Sequence, residues 1–221
     1  TTMFSLLRPD DVVISVRPVY GGTHYLLENI LPDMGINAKF VMAGDGAASE
    51  MKKIAKSLEE EAGRPKVKVL YIESPANPNN IMTDIQAVVD VAKELSTEDR
   101  EVLVVVDNTF LGPVFQRPSD NGAHVVIYSA TKFIGGHSDL VAGLVSGRDD
   151  IMEQVCLYRT IMGTMADPFT AWMMTRSLET VSVRMRRQAK NATVLAGILD
   201  SHPKVKQVFY PTLFPAGSRQ E

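Results

Sequence analysis

The chain is organised around residues 128–139, YSATKFIGGHSD, which directly follow the apolar, β-branched run AHVVI at residues 123–127. Such a run bounded by polar and glycine residues is typical of a buried strand. Lys132 is therefore expected to project from a loop at the C-terminal end of a strand. That end of the strands is where open α/β sheets bind their ligands.

The residues around Lys132 suit a covalent cofactor. Ser129 and Thr131 carry hydroxyls that can donate to a phosphate, and Gly135-Gly136 lets the backbone approach a bound group closely. A lysine that becomes neutral in a cationic or dry site is a nucleophile toward aldehydes and can form a Schiff base with pyridoxal phosphate. A solvated loop lysine is the alternative that this stretch alone leaves open.

A second polar residue is expected at the same edge of the sheet. Residues 101–109, EVLVVVDNT, form a continuous apolar run that ends in Asp107, as in a strand buried on both faces. An aspartate there can pair with a protonated pyridine nitrogen, although a turn or a helix cap would also use it. Enough chain separates Asp107 from Lys132 for one connection and one further strand, so both side chains can reach one crevice.

The order of elements predicts an α/β fold with a mostly parallel sheet and helices on both faces. Strands are predicted within residues 10–16, 38–42, 66–73, 101–109 and 123–127, and helices within residues 25–31, 48–61 and 84–95. The apolar run at 140–147 follows the lysine loop too closely for a crossover helix, so it is expected to be antiparallel to its neighbour.

The last third of the chain is predicted to be mainly helical. One helix is expected at 150–162 and a long one from Asp167-Pro168 to about residue 201, because aspartate before proline favours a helix start. Four cationic residues of that helix predict a solvated or subunit-facing surface: Arg184, Arg186, Arg187 and Lys190. Residues 204–210 are predicted to form a strand.

Composition excludes several classes of protein. The 221 residues are 45% hydrophobic with a formal net charge of −3, so nucleic acid and anionic membranes are not expected partners. No apolar run approaches the roughly 18 residues that span a bilayer. A single cysteine, Cys156, favours a reducing cytoplasm, and the histidines show no spacing typical of a metal site.

Several motifs in one order resemble the Cys/Met-metabolism family of pyridoxal-phosphate enzymes, which contains cystathionine γ-lyase, methionine γ-lyase, cystathionine γ-synthase and O-acetylhomoserine sulfhydrylase. The motifs are VYGGT at 19–23, ESPANP at 73–78, VVDNTF at 105–110, SATK at 129–132, GHSD at 136–139 and RSLET at 176–180. The similarity runs from residue 6 to about residue 211. It implies the large domain of the type I fold of these enzymes, with a seven-stranded type of sheet.

The resemblance also implies a role for each site residue. Lys132 binds the cofactor and moves the substrate's α proton, and Asp107 keeps the ring nitrogen protonated. Tyr20 stacks on the ring and delivers a proton to the leaving group, although alone it would be a half-buried core tyrosine. Asn77 hydrogen-bonds the phenolic oxygen of the cofactor, although Asn-Pro alone is only a turn signal.

The reaction implied is γ-elimination from a sulfur-containing amino acid, as in cystathionine γ-lyase, with release of a 2-oxo acid, ammonia and a thiol. The alternative within the family is γ-replacement by a transferase. Methionine γ-lyases commonly carry cysteine where this chain has Gly22, which argues against that member. A non-catalytic fragment or an assembly module is the alternative from another class.

The resemblance further implies that the chain is part of a longer one. Residues 1–200 are expected to form the cofactor-binding large domain without its N-terminal start, and residues 201–221 to begin a C-terminal domain. The family implies a homo-oligomer, a dimer or tetramer whose sites are shared between subunits.

Overall fold

The computed structural model describes residues 1–63 and 66–213 and contains one six-stranded sheet. The strands are β1 (Val12–Arg17), β2 (Asn37–Met42), β3 (Val67–Glu73), β4 (Leu103–Asp107), β5 (Val125–Ser129) and β6 (Gly143–Gly147). The α-helices are α1 (Thr2–Leu6), α2 (Gly21–Tyr25), α3 (Ala47–Ala62), α4 (Ile85–Leu95), α5 (Gly112–Phe115), α6 (Asp149–Met162), α7 (Pro168–Leu178) and α8 (Val181–Asp200). A π-helix at Leu26–Ile30 and short 3-10 helices at Pro32–Met34, Pro118–Asn121 and Pro211–Leu213 complete the described elements.

The sheet has the order β2-β1-β3-β4-β5-β6. Strands β1 to β5 pair in parallel, and β6 pairs antiparallel to β5. The α/β class, the mostly parallel sheet and the antiparallel sixth strand are therefore as predicted. Six strands of the expected seven-stranded type lie within the described residues.

The central strands are buried on both faces, which explains their continuous apolar sequences. In β4 the first four residues are all buried, and in β3 every residue except the second is buried. Helices α3 and α4 pack against each other and against the sheet, while α1 packs against α6. This packing holds the C-terminal ends of β3, β4 and β5 in fixed register.

The predicted long helix after Asp167 is wrong, because it is two helices. Asp167 caps α7 as expected, and its carboxylate accepts from the backbone N–H groups of Phe169 and Thr170. The backbone leaves the helical conformation at Thr180 (φ −111°, ψ 0°), and α8 begins at Val181. Arg184 donates to the Ser177 carbonyl at 2.8 Å, which satisfies part of the end of α7.

Two further predictions are corrected in this region. Arg184 does not belong to a solvated face, since it is half-buried and bonded to backbone carbonyls, whereas Arg186 and Arg187 are exposed. Residues 204–210 do not form a strand, because no other described strand lies beside them to complete a ladder of hydrogen bonds.

Candidate active site

Three neighbouring strands end at the same edge of the sheet, and their ends carry the predicted polar residues. Glu73 lies opposite Asp107 in the pairing of β3 with β4, and Asp107 lies opposite Ile127 in the pairing of β4 with β5. The loop that carries Lys132 follows β5 directly. The structure thus brings Asp107 and the lysine loop to one edge, as the sequence predicts.

Asp107 is held in one orientation by unequal contacts on its two oxygens. Its Oδ1 accepts from the Thr109 backbone N–H at 3.0 Å and from the Thr109 hydroxyl at 2.6 Å. Among the described residues, its Oδ2 accepts one long hydrogen bond, from the Tyr71 hydroxyl at 3.4 Å. Burial raises the pKa of Asp107 above its usual value, and the hydrogen bonds from Thr109 and Tyr71 oppose that shift.

Thr109 joins Asp107 to the start of the lysine loop. Its hydroxyl oxygen accepts from the Ser129 backbone N–H at 2.8 Å while its proton goes to Asp107. This hydroxyl is a functional contact that the sequence analysis did not assign. The signal was present in the sequence, because a threonine two positions after a strand-terminal aspartate can form this local turn.

The lysine loop is a tight, hydrogen-bonded turn. Lys132 is exposed, its N–H donates to the Ser129 carbonyl at 3.0 Å, and its own carbonyl accepts from the Gly136 N–H at 2.7 Å. Gly136 adopts φ +73°, a conformation that favours glycine. The turn therefore presents the Lys132 side chain outward at the end of β5.

The two hydroxyls predicted to bind a phosphate differ in their surroundings. Within the described part of the chain the Ser129 hydroxyl has no hydrogen-bond partner, so it is free to donate to a ligand. The Thr131 hydroxyl accepts from the Ala142 N–H at 3.0 Å and lies 3.3 Å from the Ala142 carbonyl oxygen. Thr131 must give up its contact with that carbonyl to donate to a phosphate.

The loops of Tyr20 and Asn77 are both bonded to Glu73, the last residue of β3 and a residue to which the sequence motifs assign no role. Glu73 is buried, and its two carboxylate oxygens accept from the backbone N–H groups of Tyr20 and Asn77, each at 2.8 Å. Burial raises the pKa of Glu73, the two N–H donors lower it, and the nearby Asp107 raises it further. Glu73 thus ties two site loops to the end of β3.

The Tyr20 side chain is available to a ligand, since 57% of its surface is exposed. Its ring lies against Gly22, where an added Cβ would be 2.7 Å from Tyr20 Cε1. A cysteine at position 22 would therefore require the ring to turn. The glycine at position 22, where methionine γ-lyases commonly carry cysteine, therefore affects where the Tyr20 ring can lie.

A family profile described as Cys/Met metabolism PLP-dependent enzyme matches residues 1–218. The chain belongs to this family. It is 37% identical over 215 residues to cystathionine β-lyase of Coxiella burnetii and 36% identical over 212 residues to cystathionine γ-lyase of Bacillus subtilis. Each alignment covers 96% of this chain and 52% of the relative.

A solved structure of the family has the same fold. The crystal structure of MetB from Corynebacterium glutamicum superposes with a TM-score of 0.85 at 35% identity, covering 96% of this chain and 51% of that one. The chain therefore spans about half the length of the relatives that it matches. The cofactor of the family to which the chain belongs is pyridoxal phosphate.

The residues around Asp107 suit that cofactor. The half-buried Asp107 carboxylate has a raised pKa and no cationic partner among residues 1–63 and 66–213, and its Oδ2 accepts one long hydrogen bond. Asp107 also lines a cavity of about 220 Å³ together with Thr23 and Tyr71. A protonated pyridine nitrogen would supply the missing positive charge and the missing donor.

No described helix is long and apolar enough to cross a membrane. Residues 1–63 and 66–213 hold no cluster of three or more histidine, cysteine, aspartate or glutamate side chains arranged to bind a metal.

Proposed function

We propose that the protein containing this chain is a pyridoxal-phosphate-dependent carbon–sulfur lyase that acts on sulfur-containing amino acids by γ-elimination, as cystathionine γ-lyase does. The family and the relatives support the cofactor and the substrate class. The alternative is γ-replacement by a transferase, which uses the same site. A non-catalytic fragment or assembly module remains the contrasting hypothesis that the first experiment below tests.

One observation carries the proposal. Asp107 and the loop of Lys132 are joined by a single hydroxyl, that of Thr109, which donates to Asp107 at 2.6 Å and accepts from Ser129 at 2.8 Å. The Thr109 hydroxyl therefore fixes the Asp107 carboxylate relative to the start of the lysine loop. Such coupling suits a ligand that contacts both residues at once.

Each residue then has a defined task. Pyridoxal phosphate, when bound, supplies a cationic ring that withdraws electrons from the substrate's Cα. The Asp107 carboxylate accepts the hydrogen bond of the ring nitrogen and keeps it protonated. The Lys132 Nζ atom would hold the cofactor and, once the substrate's amine has displaced it, would take the proton from Cα. Removal of a second proton, from Cβ, would then allow the γ-substituent to leave. The Tyr20 hydroxyl gives its proton to the departing sulfur, and Asn77 orients the ring oxygen.

Binding of pyridoxal phosphate to Lys132 is the first test. The wild-type protein should develop the visible absorbance that the cofactor gains when it is bound through a lysine, and Lys132→Ala should lack it. Borohydride reduction followed by peptide mapping should place the label on Lys132. A folded, full-length protein without this band would contradict the enzyme assignment, and a label on another lysine would contradict the assignment of Lys132.

The products distinguish the reactions. With L-cystathionine and no added thiol, γ-elimination gives 2-oxobutanoate, ammonia and cysteine, whereas cleavage on the other side of sulfur gives pyruvate and homocysteine. A product that forms only from O-acylhomoserine plus a thiol would favour γ-replacement. Pyruvate as the main product would place the protein with the β-lyase relative.

The remaining proposals concern the whole protein. We propose a cytoplasmic homo-oligomer, a dimer or tetramer with sites completed between subunits. Residues 1–200 are proposed to belong to the cofactor-binding domain and residues 201–221 to the start of a C-terminal domain. Light scattering of the active protein tests the assembly, and an active monomer would contradict it.

A further inference from the structure

Arg184 on α8 reaches out of its own helix to the loop that carries Lys132. Its Nη1 donates to the Phe133 carbonyl at 2.8 Å and its Nη2 to the Ile134 carbonyl at 3.1 Å. The same Nη2 donates to the Ser177 carbonyl at 2.8 Å, and Nε donates to the Thr180 hydroxyl at 3.0 Å. The planar fork of a guanidinium suits two consecutive carbonyls in a way that an ammonium group does not.

The two loop carbonyls belong to the residues directly after Lys132. They lie in the turn that is closed by the Gly135 N–H on the Ala130 carbonyl and by the Gly136 N–H on the Lys132 carbonyl, both at 2.7 Å. A charged donor makes stronger hydrogen bonds to such carbonyls than a neutral one. Arg184 therefore restrains the segment from which the Lys132 side chain projects.

The loop is shaped to accept the guanidinium. A Cβ added at Gly136 would overlap the Nη1 atom of Arg184, and Gly136 also has φ +73°. Position 136 thus has two separate reasons to be glycine, the backbone conformation and the space that Arg184 occupies. The need for space, unlike the backbone conformation, involves the contact with the Arg184 guanidinium.

We propose that Arg184 is a positioning residue for Lys132: its guanidinium clamps the turn at Phe133 and Ile134 and so fixes the lysine at the end of β5. A lysine that is already held in place loses less conformational entropy when the cofactor binds, so the cofactor binds more tightly. This inference rests on the proposed function of Lys132. It assigns no chemical step to Arg184.

The first test compares matched substitutions on one helix. Arg184→Lys keeps the charge but loses the fork, whereas Arg186→Lys changes an exposed arginine whose donor contact is with Ser182 of its own helix at 3.3 Å. Without cofactor, hydrogen exchange at Gly135 and Gly136 should become roughly tenfold faster or more in R184K and stay unchanged in R186K. With cofactor, the dissociation constant of pyridoxal phosphate should rise by roughly tenfold in R184K only.

The second test uses two glycines with the same backbone strain. Gly136 and Gly163 have φ of +73° and +71°, but a Cβ at Gly163 would meet nothing within 4 Å. Gly136→Ala should accelerate loop exchange and weaken cofactor binding more than Gly163→Ala does. In an Arg184→Ala background this difference should shrink, because the guanidinium that the new methyl displaces is absent and only the closer approach to the Phe133 carbonyl oxygen, 3.1 Å from the added Cβ, remains.

The outcomes separate this inference from the proposed function. If the wild type does not bind pyridoxal phosphate, the proposed function fails, while the exchange measurements still report on the clamp. If the wild type binds it and R184K binds equally well with unchanged exchange, Arg184 has no positioning role. If R184K loses protection from hydrogen exchange throughout the sheet, the variants of Gly136 and Gly163 provide the decision. Equal effects of alanine at the two positions would overturn the inference. So would a difference between them that is undiminished in the Arg184→Ala background.

Discussion

At the scale of single residues, the carboxylate of Glu73 has the largest structural role that the sequence motifs did not reveal. It accepts from the backbone of Tyr20 and of Asn77, and Tyr20 is 53 positions away along the chain. Local patterns predict that Asp107 and Lys132 reach one edge because each follows its own strand. They cannot predict which distant N–H group a side chain will meet after folding. The same reason explains why the role of Arg184 was missed.

Replacing Glu73 by glutamine should loosen both site loops. The amide oxygen can accept from one of the two N–H groups, but its NH₂ group cannot accept from the other, so one buried donor loses its partner. The unpaired donor should lower the free energy of unfolding by about 1–3 kcal/mol. Removal of the buried charge of Glu73 offsets part of that loss. Urea unfolding of E73Q and cofactor titration measure the two effects, and both should decline together.

Glu94→Gln provides the control for this substitution, because Glu94 is exposed and pairs with Lys52 on the surface. It should change neither stability nor cofactor binding measurably. If E73Q matched E94Q, the two hydrogen bonds of Glu73 would contribute nothing to holding the loops.

At the scale of elements, the sequence predicts the sheet well because buried parallel strands have a distinctive apolar pattern. The antiparallel direction of β6 is predicted by a single signal, the short connection after the lysine loop. The break between α7 and α8 is not predicted, since residues 179 and 180 include no glycine or proline. The contacts that Arg184 makes with Ser177 and Thr180 at this turn are visible only in the structure. The strand predicted at 204–210 is wrong for a different reason, because a stretch rich in Val, Phe and Tyr favours a strand but does not show whether a partner strand is available.

Strands β4 and β5 are joined by a histidine that makes their pairing sensitive to pH. The Nδ1 atom of His124 accepts from the Val104 N–H at 2.9 Å, which requires that nitrogen to be unprotonated. Burial lowers the pKa of His124, a shift that Glu101 opposes and Arg148 reinforces. Asp150, which opposes it, and Lys68, which reinforces it, have smaller effects.

The direction of the pH effect follows from that lowered pKa. The unfolded chain binds a proton at His124 more readily than the folded chain, so stability is complete above the ordinary histidine pKa of about 6.5 and declines as the pH falls below it. The slope cannot exceed about 1.4 kcal/mol per pH unit for one proton. Urea unfolding between pH 5 and pH 8 should show this slope in the wild type, and His124→Asn, whose amide oxygen can take the place of Nδ1 and accept from Val104, should reduce it. An equal slope in both proteins would assign the effect to other groups.

At the scale of the whole molecule, the site is built at a cost to the stability of the protein without its cofactor. Glu73 and Asp107 lie opposite each other on neighbouring strands, and the pKa of each is raised chiefly by burial. A core made only for stability would not place two carboxylates there. This conflict between local chemistry and packing is typical of a functional site. It leads to a prediction for Asp107 that a purely structural role of that residue would not give.

Asp107→Asn should make the free protein more stable than free wild type and the cofactor-bound protein less stable than bound wild type. Asparagine keeps an oxygen for Thr109 and gives up only the long bond from the Tyr71 hydroxyl, 3.4 Å from Oδ2, while it removes a charge that burial disfavours. The free protein should therefore unfold at a higher urea concentration than wild type. This advantage should grow as the pH rises through the raised pKa of Asp107 and vanish at acidic pH, where the wild-type carboxyl is also neutral. With pyridoxal phosphate the loss of a charge-assisted hydrogen bond should weaken binding by at least about tenfold, which removes about 1.4 kcal/mol of the stabilisation by mass action. Urea unfolding of both proteins, each with and without cofactor, checks the reversal. If D107N were less stable than wild type in both states, Asp107 would be a structural residue and its pairing with the cofactor would lose its support.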